Sequence, residues 1–324
     1  MGQNANDIFQ IKGVKIGQAE DEKGITGCTA FIFEAGATVG VDVRGSAPGT
    51  RELALLEPGN LVEKVHAVVL TGGSAFGLAA MNGVSSALEQ KDIGYDAGVA
   101  TVPIVCGAVL FDLAIGDPSI RPDFQMGYEA ASNAQNIYFK EGNHGAGAGA
   151  TIGKARGMDY AIKSGIGAAT LRFDNGLVVS AVVAVNALGD VYEQDTIIAG
   201  MLNDTKDGWQ STEDYILKAH QTSIFENRNT TIGLVLTNAN LTKARAKKLA
   251  EKTHDAYARR IRPTHTLYDG DAIFAAATGE IEFDDQLFLS TAAVRVMELA
   301  ILRAVRSAKP VANYKTAEMV NGRP

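Results

Sequence analysis

With 324 residues, 46% hydrophobic and 21% charged, the chain has the length and composition of a globular protein of one large domain or two ordinary ones. Its formal net charge of −7 repels a phosphate backbone, which argues against nucleic acid as a partner. The five histidines form no HExxH pair, and Cys28 and Cys106 have no CxxC spacing, so the sequence predicts buried thiols and no metal site.

Neither the N-terminal residues nor the apolar runs give a signal for export or membrane insertion. Residues 1–10 are polar and lack the charged start and apolar run of a signal peptide. No uninterrupted apolar segment reaches the roughly 20 residues that a membrane span needs. We therefore expect a cytoplasmic protein without membrane contact.

The first predicted strand covers residues 31–44, which alternate and are rich in β-branched side chains. A second strand is predicted at residues 67–70, and the glycine-rich residues 71–78 then lead into a predicted helix that extends through Ala87. A strand, a glycine turn and a helix start bring backbone N–H groups together, where they can bind an oxygen or an anion. Tight packing of the turn against the helix explains the same glycines equally well.

A second glycine-rich segment, residues 145–155, has the composition of a nucleotide-binding loop but not its spacing. A P-loop needs glycine where this chain has Ala148, and serine or threonine where it has Ala155. The alternating glycines of the segment are also followed by no correctly placed third glycine that opens a helix, as a dinucleotide fingerprint requires. The sequence therefore predicts no nucleotide cofactor.

The C-terminal half contains strand patterns at residues 170–184 and 231–236, and long helical patterns at residues 243–260 and 287–308. Residues 191–228, between the two strand patterns, are rich in acidic and amide side chains, so we expect an exposed loop there. Strands and long helices are segregated along the chain instead of alternating. This order favours sheets with helices packed outside them over a parallel, doubly wound sheet.

Residue types that could carry chemistry lie at the start of the last predicted strand and in the segment beyond the next helix. An Asn-Thr-Thr sequence occupies residues 229–231, and an Asp-Gly-Asp sequence occupies residues 269–271. From the residues alone, β-propensity explains the threonines, and a turn with a solvated acid, or a cation site, explains the carboxylates. Ser74 is the nearest match to a nucleophile elbow, but Phe76 stands where the glycine is due, so no serine triad is visible.

Several separated motifs, in one order, resemble the family of L-aminopeptidase/D-esterases, β-peptidyl aminopeptidases and nylon-oligomer hydrolases, peptidase family S58. The motifs are residues 71–78, 145–154 and 165–167, Asn186, residues 229–232, His265-Thr266 and residues 269–271. The sequence at residues 229–232 looks most like the nylon-oligomer hydrolase branch, which uses threonine as nucleophile. The resemblance implies an α/β (α+β) fold, namely a four-layer α/β/β/α sandwich.

The resemblance also implies that the chain, residues 1–324, is a single self-processing hydrolase domain. Cleavage between Asn229 and Thr230 would give an α chain of residues 1–229 and a β chain of residues 230–324. Processed αβ units would assemble into a homo-oligomer, a tetramer. No cofactor and no metal are expected.

Each candidate catalytic residue receives a role from the same resemblance. Thr230 would be the nucleophile, and its freed α-amine, with a pKa of about 7.7–8.0 in reference peptides, would accept the proton of its own hydroxyl. Asp269 and Asp271 would lie beside Thr230, with one carboxyl partly protonated or paired with Lys154. Asn186 could donate to the oxyanion. Lys154 would line the catalytic centre, although an ordinary surface lysine after a glycine loop is the alternative.

Gly73, Ser74 and Phe111 are expected to bind substrate. Phe111 stands where well-studied relatives have a tyrosine whose hydroxyl contacts the oxyanion, and a phenyl ring cannot donate that hydrogen bond. The sequence thus predicts a self-processing hydrolase of small peptides, amino-acid amides or ω-amino-acid oligomers. An acyltransferase of the ornithine acetyltransferase type is a second hypothesis, because those enzymes share the fold and a threonine nucleophile. An unprocessed, non-catalytic binding protein is a third, motivated by Phe111.

Overall fold

The computed structural model of the protein describes residues 11–136, 139–218 and 229–322. The strands in these ranges are β1 (Val14–Asp21), β2 (Thr26–Val43), β3 (Thr50–Arg51), β4 (Val65–Thr71), β5 (Tyr95–Asp96), β6 (Thr101–Val102), β7 (Val105–Val109), β8 (Thr151–Ile152), β9 (Ile162–Lys163), β10 (Ile166–Arg172), β11 (Val178–Ala184), β12 (Asp190–Glu193), β13 (Thr196–Ala199), β14 (Ile232–Ala239), β15 (Ile261–Arg262) and β16 (Ala272–Ile281). The helices are α1 (Ala80–Glu89), α2 (Phe124–Ser132), α3 (Thr212–Lys218), α4 (Lys243–Arg260), α5 (Gln286–Arg306) and α6 (Ala317–Asn321). None of these helices is long and apolar enough to cross a membrane.

The long strand β2 joins two sheets into one hydrogen-bonded path, β10-β11-β14-β16-β2-β4-β7-β3. Its first half pairs with β1 and β4, and its second half pairs with β16. The register shifts between Ile32 and Ala37, where Gly36 has a φ of 73° and Glu34 and Ala35 are exposed. An irregularity of this kind bends a strand, which allows β2 to serve both sheets.

Apolar side chains fill the spaces on both faces of each sheet. Alternate residues of a strand point to opposite faces, so Phe31 and Phe33 enter the core between the sheets, whereas Ala30 and Ile32 pack under α1 and α2. Helices α4 and α5 cover the outer face of the second sheet, around Tyr257. The order of helices, sheet, sheet and helices confirms the predicted four-layer α/β/β/α sandwich.

Most predicted elements have the expected type. Helix α4 covers the predicted residues 243–260, and the predicted strand region at residues 170–184 is the hairpin β10–β11 with a turn at residues 174–176. The exposed loop predicted at residues 191–228 is wrong in its described part, which contains β13, α3 and most of β12. Backbone groups there bond to the protein interior, since buried Asp190, directly ahead of the segment, accepts the N–H groups of Met201 and Thr212. Residues 219–228 of that segment lie outside the described ranges.

Candidate active site

Asn229 and Thr230 lie directly ahead of β14, beside the end of β11 and the loop that leads into β16. The Thr230 N–H donates to the carbonyl oxygen of Asn186 at 3.0 Å. The Thr231 N–H donates to Oδ1 of Asp271 at 2.7 Å. Both backbone groups that follow the Asn229 carbonyl are therefore held by neighbouring segments, which fixes the position of the peptide bond between Asn229 and Thr230.

The Gly270 N–H points at the same peptide bond. It donates to the Asn229 carbonyl oxygen at 3.1 Å and to the Thr230 hydroxyl oxygen at 3.2 Å. The Thr230 hydroxyl in turn contacts the Asn229 carbonyl oxygen. A β-carbon at residue 270 would lie 2.5 Å from the carbonyl oxygen of Ala47, so this close approach requires glycine. A hydroxyl nucleophile and an N–H donor therefore meet at one carbonyl.

Asp269 and Asp271 are buried on either side of Gly270. Oδ2 of Asp271 accepts from the ring Nδ1 of His265 at 2.8 Å, and Oδ2 of Asp269 accepts from the Thr266 N–H at 3.0 Å. Burial, reinforced by the neighbouring charge of Asp271, raises the pKa of Asp269 to about 7. The turn with a solvated acid that the residues alone allowed is therefore wrong. In the described part of the chain, no group of three or more His, Cys, Asp or Glu side chains could hold a metal ion.

Lys154 is buried beside Asn186. Its Nζ donates to Oδ1 of Asn186 at 2.9 Å and to the Asn186 carbonyl oxygen at 3.1 Å. Burial lowers the pKa of Lys154 to about 7, and the charges of Asp269 and Asp112 partly offset that effect. The alternative of an ordinary surface lysine is therefore wrong.

The Asn186 side chain connects Lys154 with the segment that contains Phe111. Its Nδ2 donates to the Phe111 carbonyl oxygen at 2.9 Å, and its Oδ1 also accepts the Thr151 N–H at 3.0 Å. Through these contacts the Asn186 side chain holds both Lys154 and the Phe111 segment in place. The role of oxyanion donor for Asn186 stays a prediction.

Sequence reasoning missed Asp112, a buried carboxylate that follows Phe111 directly. Its Oδ1 accepts the Gly73 N–H at 2.7 Å, and its Oδ2 accepts the Thr26 hydroxyl at 2.6 Å. Burial raises the pKa of Asp112 to about 6. The glycine turn therefore does bind an anion through its backbone, but that anion is a side chain of the protein itself. An acidic residue at the end of an apolar strand was the available signal.

A small cleft opens beside these residues. Its lining includes Phe111, Asp112, Thr151, Lys154 and Met158. Phe111 thus lines the same cleft as Lys154, and its role in substrate binding stays a prediction. Gly73 and Ser74 do not line this cleft, and Gly73 supports it indirectly through its hydrogen bond to Asp112.

The buried carboxyl of Asp269 predicts a pH-dependent stability. Its pKa is about 7 in the folded protein against an ordinary value of 3.8, so the folded state retains a proton that the unfolded chain loses between these values. The stabilisation that this retained proton gives the folded state is therefore fully present below pH 4 and is lost as the pH rises through 7. The free energy of unfolding should therefore fall between pH 5 and pH 7, and Asp269→Asn should make that fall smaller by about 2 kcal/mol.

Urea denaturation at both pH values measures this difference, with both proteins carrying Thr230→Ala so that neither is cleaved. Asp112 and Asp190, whose pKa values burial raises to about 6, contribute equally to both proteins and cancel in the comparison. The same pH dependence with and without Asp269 would contradict the assignment.

Comparison with known proteins identifies the family. The model of peptidase family S58 matches residues 6–319. An uncharacterized aminopeptidase of Mycobacterium leprae is 39% identical over 296 residues, which cover 86% of this chain and 80% of that protein. A 6-aminohexanoate-oligomer endohydrolase of Agromyces sp. is 34% identical over 279 residues, which cover 85% of this chain and 75% of that protein.

The fold has a counterpart among solved structures. An L-aminopeptidase D-Ala-esterase/amidase from Ochrobactrum anthropi, a variant of the Ntn hydrolase fold, superposes with a TM-score of 0.70 at 18% identity. The superposition covers 97% of this chain and 89% of that chain. The sequence match, which spans nearly all of the chain, confirms the predicted resemblance, and this protein therefore belongs to peptidase family S58 and is a hydrolase of peptide or amide bonds.

Proposed function

We propose that this protein cleaves its own backbone between Asn229 and Thr230 and then uses Thr230 as the nucleophile of an aminopeptidase or amidase. One observation carries the proposal. The Thr230 hydroxyl and the Gly270 N–H both contact the Asn229 carbonyl oxygen, which is the group that must be attacked and stabilised in self-cleavage.

Self-cleavage proceeds by an acyl shift from nitrogen to oxygen. The Thr230 oxygen bonds to the Asn229 carbonyl carbon, the carbon–nitrogen bond breaks, and the Thr230 nitrogen takes up the hydroxyl proton. Negative charge that develops on the carbonyl oxygen is stabilised by the Gly270 N–H. Water then hydrolyses the ester, which leaves a carboxylate on Asn229 and restores the Thr230 hydroxyl.

In the processed protein the Thr230 nitrogen becomes a free α-amine. Its present partner, the Asn186 carbonyl oxygen at 3.0 Å, is an acceptor that an amine or an ammonium group can still use. The unprotonated amine accepts the Thr230 hydroxyl proton during attack on the substrate amide, and Asp269 and Asp271 supply negative charge that stabilises the ammonium. The substrate amine leaves with a proton, and water hydrolyses the acyl ester.

Small peptides, amino-acid amides or ω-amino-acid oligomers are the proposed substrates. Relatives named as an aminopeptidase and as a 6-aminohexanoate-oligomer endohydrolase support this class. Purified, processed protein should release free acid and amine from an amino-acid amide or a 6-aminohexanoate oligomer. An acyl product that forms only when an amine acceptor is added would instead favour an acyltransferase, and no turnover of either substrate would contradict the proposal.

We also propose that processed αβ units assemble into a homo-oligomer, a tetramer, in the cytoplasm. The family resemblance supports the assembly, and the two free, buried cysteines fit a reducing compartment. Light scattering of the processed protein would test the tetramer directly.

Gly270→Ala should slow self-cleavage about 10²–10³-fold, the effect of losing one oxyanion donor. The new β-carbon would lie 2.5 Å from the Ala47 carbonyl oxygen and 2.9 Å from Thr230 Oγ1, so the N–H must move away from the Asn229 carbonyl. The rate of chain cleavage on denaturing gels measures the effect. Gly208→Ala, where the new β-carbon meets only side-chain atoms of Asn203, is the control. Cleavage of Gly270→Ala at the wild-type rate would rule out the donor role.

A further inference from the structure

A cluster of three rings adjoins Asp271. His265 lies with its ring Nδ1 2.8 Å from Oδ2 of Asp271. Its ring packs against His254, with centroids 4.8 Å apart, and against Tyr257, with centroids 6.0 Å apart. The cluster connects α4 with the loop ahead of β16, and none of the self-cleavage chemistry above uses it.

Asp271 connects this cluster to the nucleophile. Its Oδ1 accepts the N–H of Thr231, the residue that directly follows Thr230. Its Oδ2 accepts from the His265 ring, from the His265 backbone N–H at 3.1 Å and from the Thr264 hydroxyl at 3.3 Å. A carboxylate has no proton to give, so Nδ1 of His265 carries the proton of the shortest of these three contacts. Any displacement of the Asp271 side chain would therefore displace the Thr231 N–H that it binds, and with it the adjacent Thr230.

The two rings beside His265 carry no charge. Burial lowers the pKa of His254 to about 4, and its Nε2 contacts the Asp42 carbonyl oxygen at 3.1 Å. Burial, together with the charge of Asp271, raises the pKa of Tyr257, so both rings beside His265 are neutral near pH 7. The other charged groups near the cluster are Asp42 and Arg44 at the end of β2 and Asp269 beside Asp271. The Asp271 side chain is held on this side by the three hydrogen bonds to its Oδ2.

We propose that His265 is a positioning residue, which through its Nδ1–H holds the Asp271 side chain in the orientation that fixes Thr231 and Thr230. It acts through Asp271 and does not touch the substrate. The inference rests on the proposed function, because it concerns how the Thr230 nucleophile is held.

The test compares two substitutions at this position. His265→Phe keeps a ring against His254 and Tyr257 but removes the donor, whereas His265→Asn places an amide N–H near the position of Nδ1. We expect His265→Phe to lower the kcat for amide hydrolysis about 100-fold, since a small misplacement of reacting groups has an effect of that size. We also expect its KM to stay close to that of the wild type, because His265 acts through Asp271 and does not touch the substrate.

His265→Asn should recover most of the rate. Tyr257→Phe is the matched control, because it removes a buried hydroxyl beside the same ring that has no hydrogen-bond partner among the described residues. Its kcat and KM should match those of the wild type. Thermal unfolding checks that each variant folds, and His265→Gln, whose amide extends beyond the Nδ1 position, replaces His265→Phe if that variant does not fold.

The outcomes separate this inference from the proposed function. A wild-type protein that neither cleaves itself nor hydrolyses amides overturns both. A processed, active wild type with an unchanged kcat in His265→Phe overturns only the role of His265. A slower His265→Phe without rescue by His265→Asn, or with a KM that rises as kcat falls, means that the ring serves packing alone and also overturns the inference.

Discussion

Thr230→Ala should remain a single 34.1 kDa chain and lose amide hydrolysis, whereas Thr230→Ser should still cleave itself. The hydroxyl that contacts the Asn229 carbonyl oxygen is the only nucleophile proposed for both reactions, and serine retains it. Removal of a nucleophile lowers turnover by about 10⁴-fold or more. Denaturing gels follow the processing, and release of amine from an amino-acid amide follows the hydrolysis.

A threonine elsewhere in the second sheet provides the control for Thr230→Ala. The hydroxyl of Thr278 in β16 is buried and has no hydrogen-bond partner among the described residues, so Thr278→Ala should be processed normally. Loss of processing in both variants would mean that the gel reports destabilisation. Full processing of Thr230→Ala would exclude Thr230 as the attacking group.

Lys154→Met should lower kcat by about 10²–10³-fold and move the acid limb of the pH–rate profile to higher pH. Methionine keeps an unbranched apolar chain but removes both Nζ hydrogen bonds to Asn186, whose carbonyl oxygen holds the Thr230 nitrogen. The positive charge of Lys154 also lowers the pKa of Asp269, so its loss should raise that pKa above about 7. Steady-state kinetics across pH 5 to pH 9 measure both effects.

Lys243 allows a matched control for this substitution. It too is largely buried, and its Nζ donates to the carbonyl oxygen of Asn60 at 2.8 Å, a group that takes no part in the site. Lys243→Met should therefore lower the unfolding temperature without changing the pH profile. Equal kinetic effects of the two lysine substitutions would show that Lys154 has only a structural role.

Local patterns were sufficient to predict the element types that frame the site. Helix α4 repeats its apolar positions along one stripe, and the strand predicted at residues 231–236 opens with β-branched Thr231 and Ile232, so both were visible in the sequence. The pairing of strands was not visible. The double role of β2 depends on a register shift near Gly36, and the sequence carries no local signal for which strands lie on either side.

The site shows the same division between local and long-range information. Thr230, Asp269 and Asp271 lie in short motifs that a family resemblance could carry. His265 also lies in such a motif, but its packing against α4, like the contact of Asp112 with the glycine turn, joins segments that are distant in the sequence. The burial of Lys154 was likewise not visible in a single lysine that follows a glycine loop.

Intact-mass and N-terminal sequence analysis of the purified wild-type protein tests the central proposal most directly. Cleavage after Asn229 predicts chains of about 24 and about 10 kDa, in proportion to the 229 and 95 residues of a 34.1 kDa protein. The smaller chain should begin Thr-Thr-Ile-Gly. Amide turnover by a preparation that contains only the full-length chain would contradict the proposal.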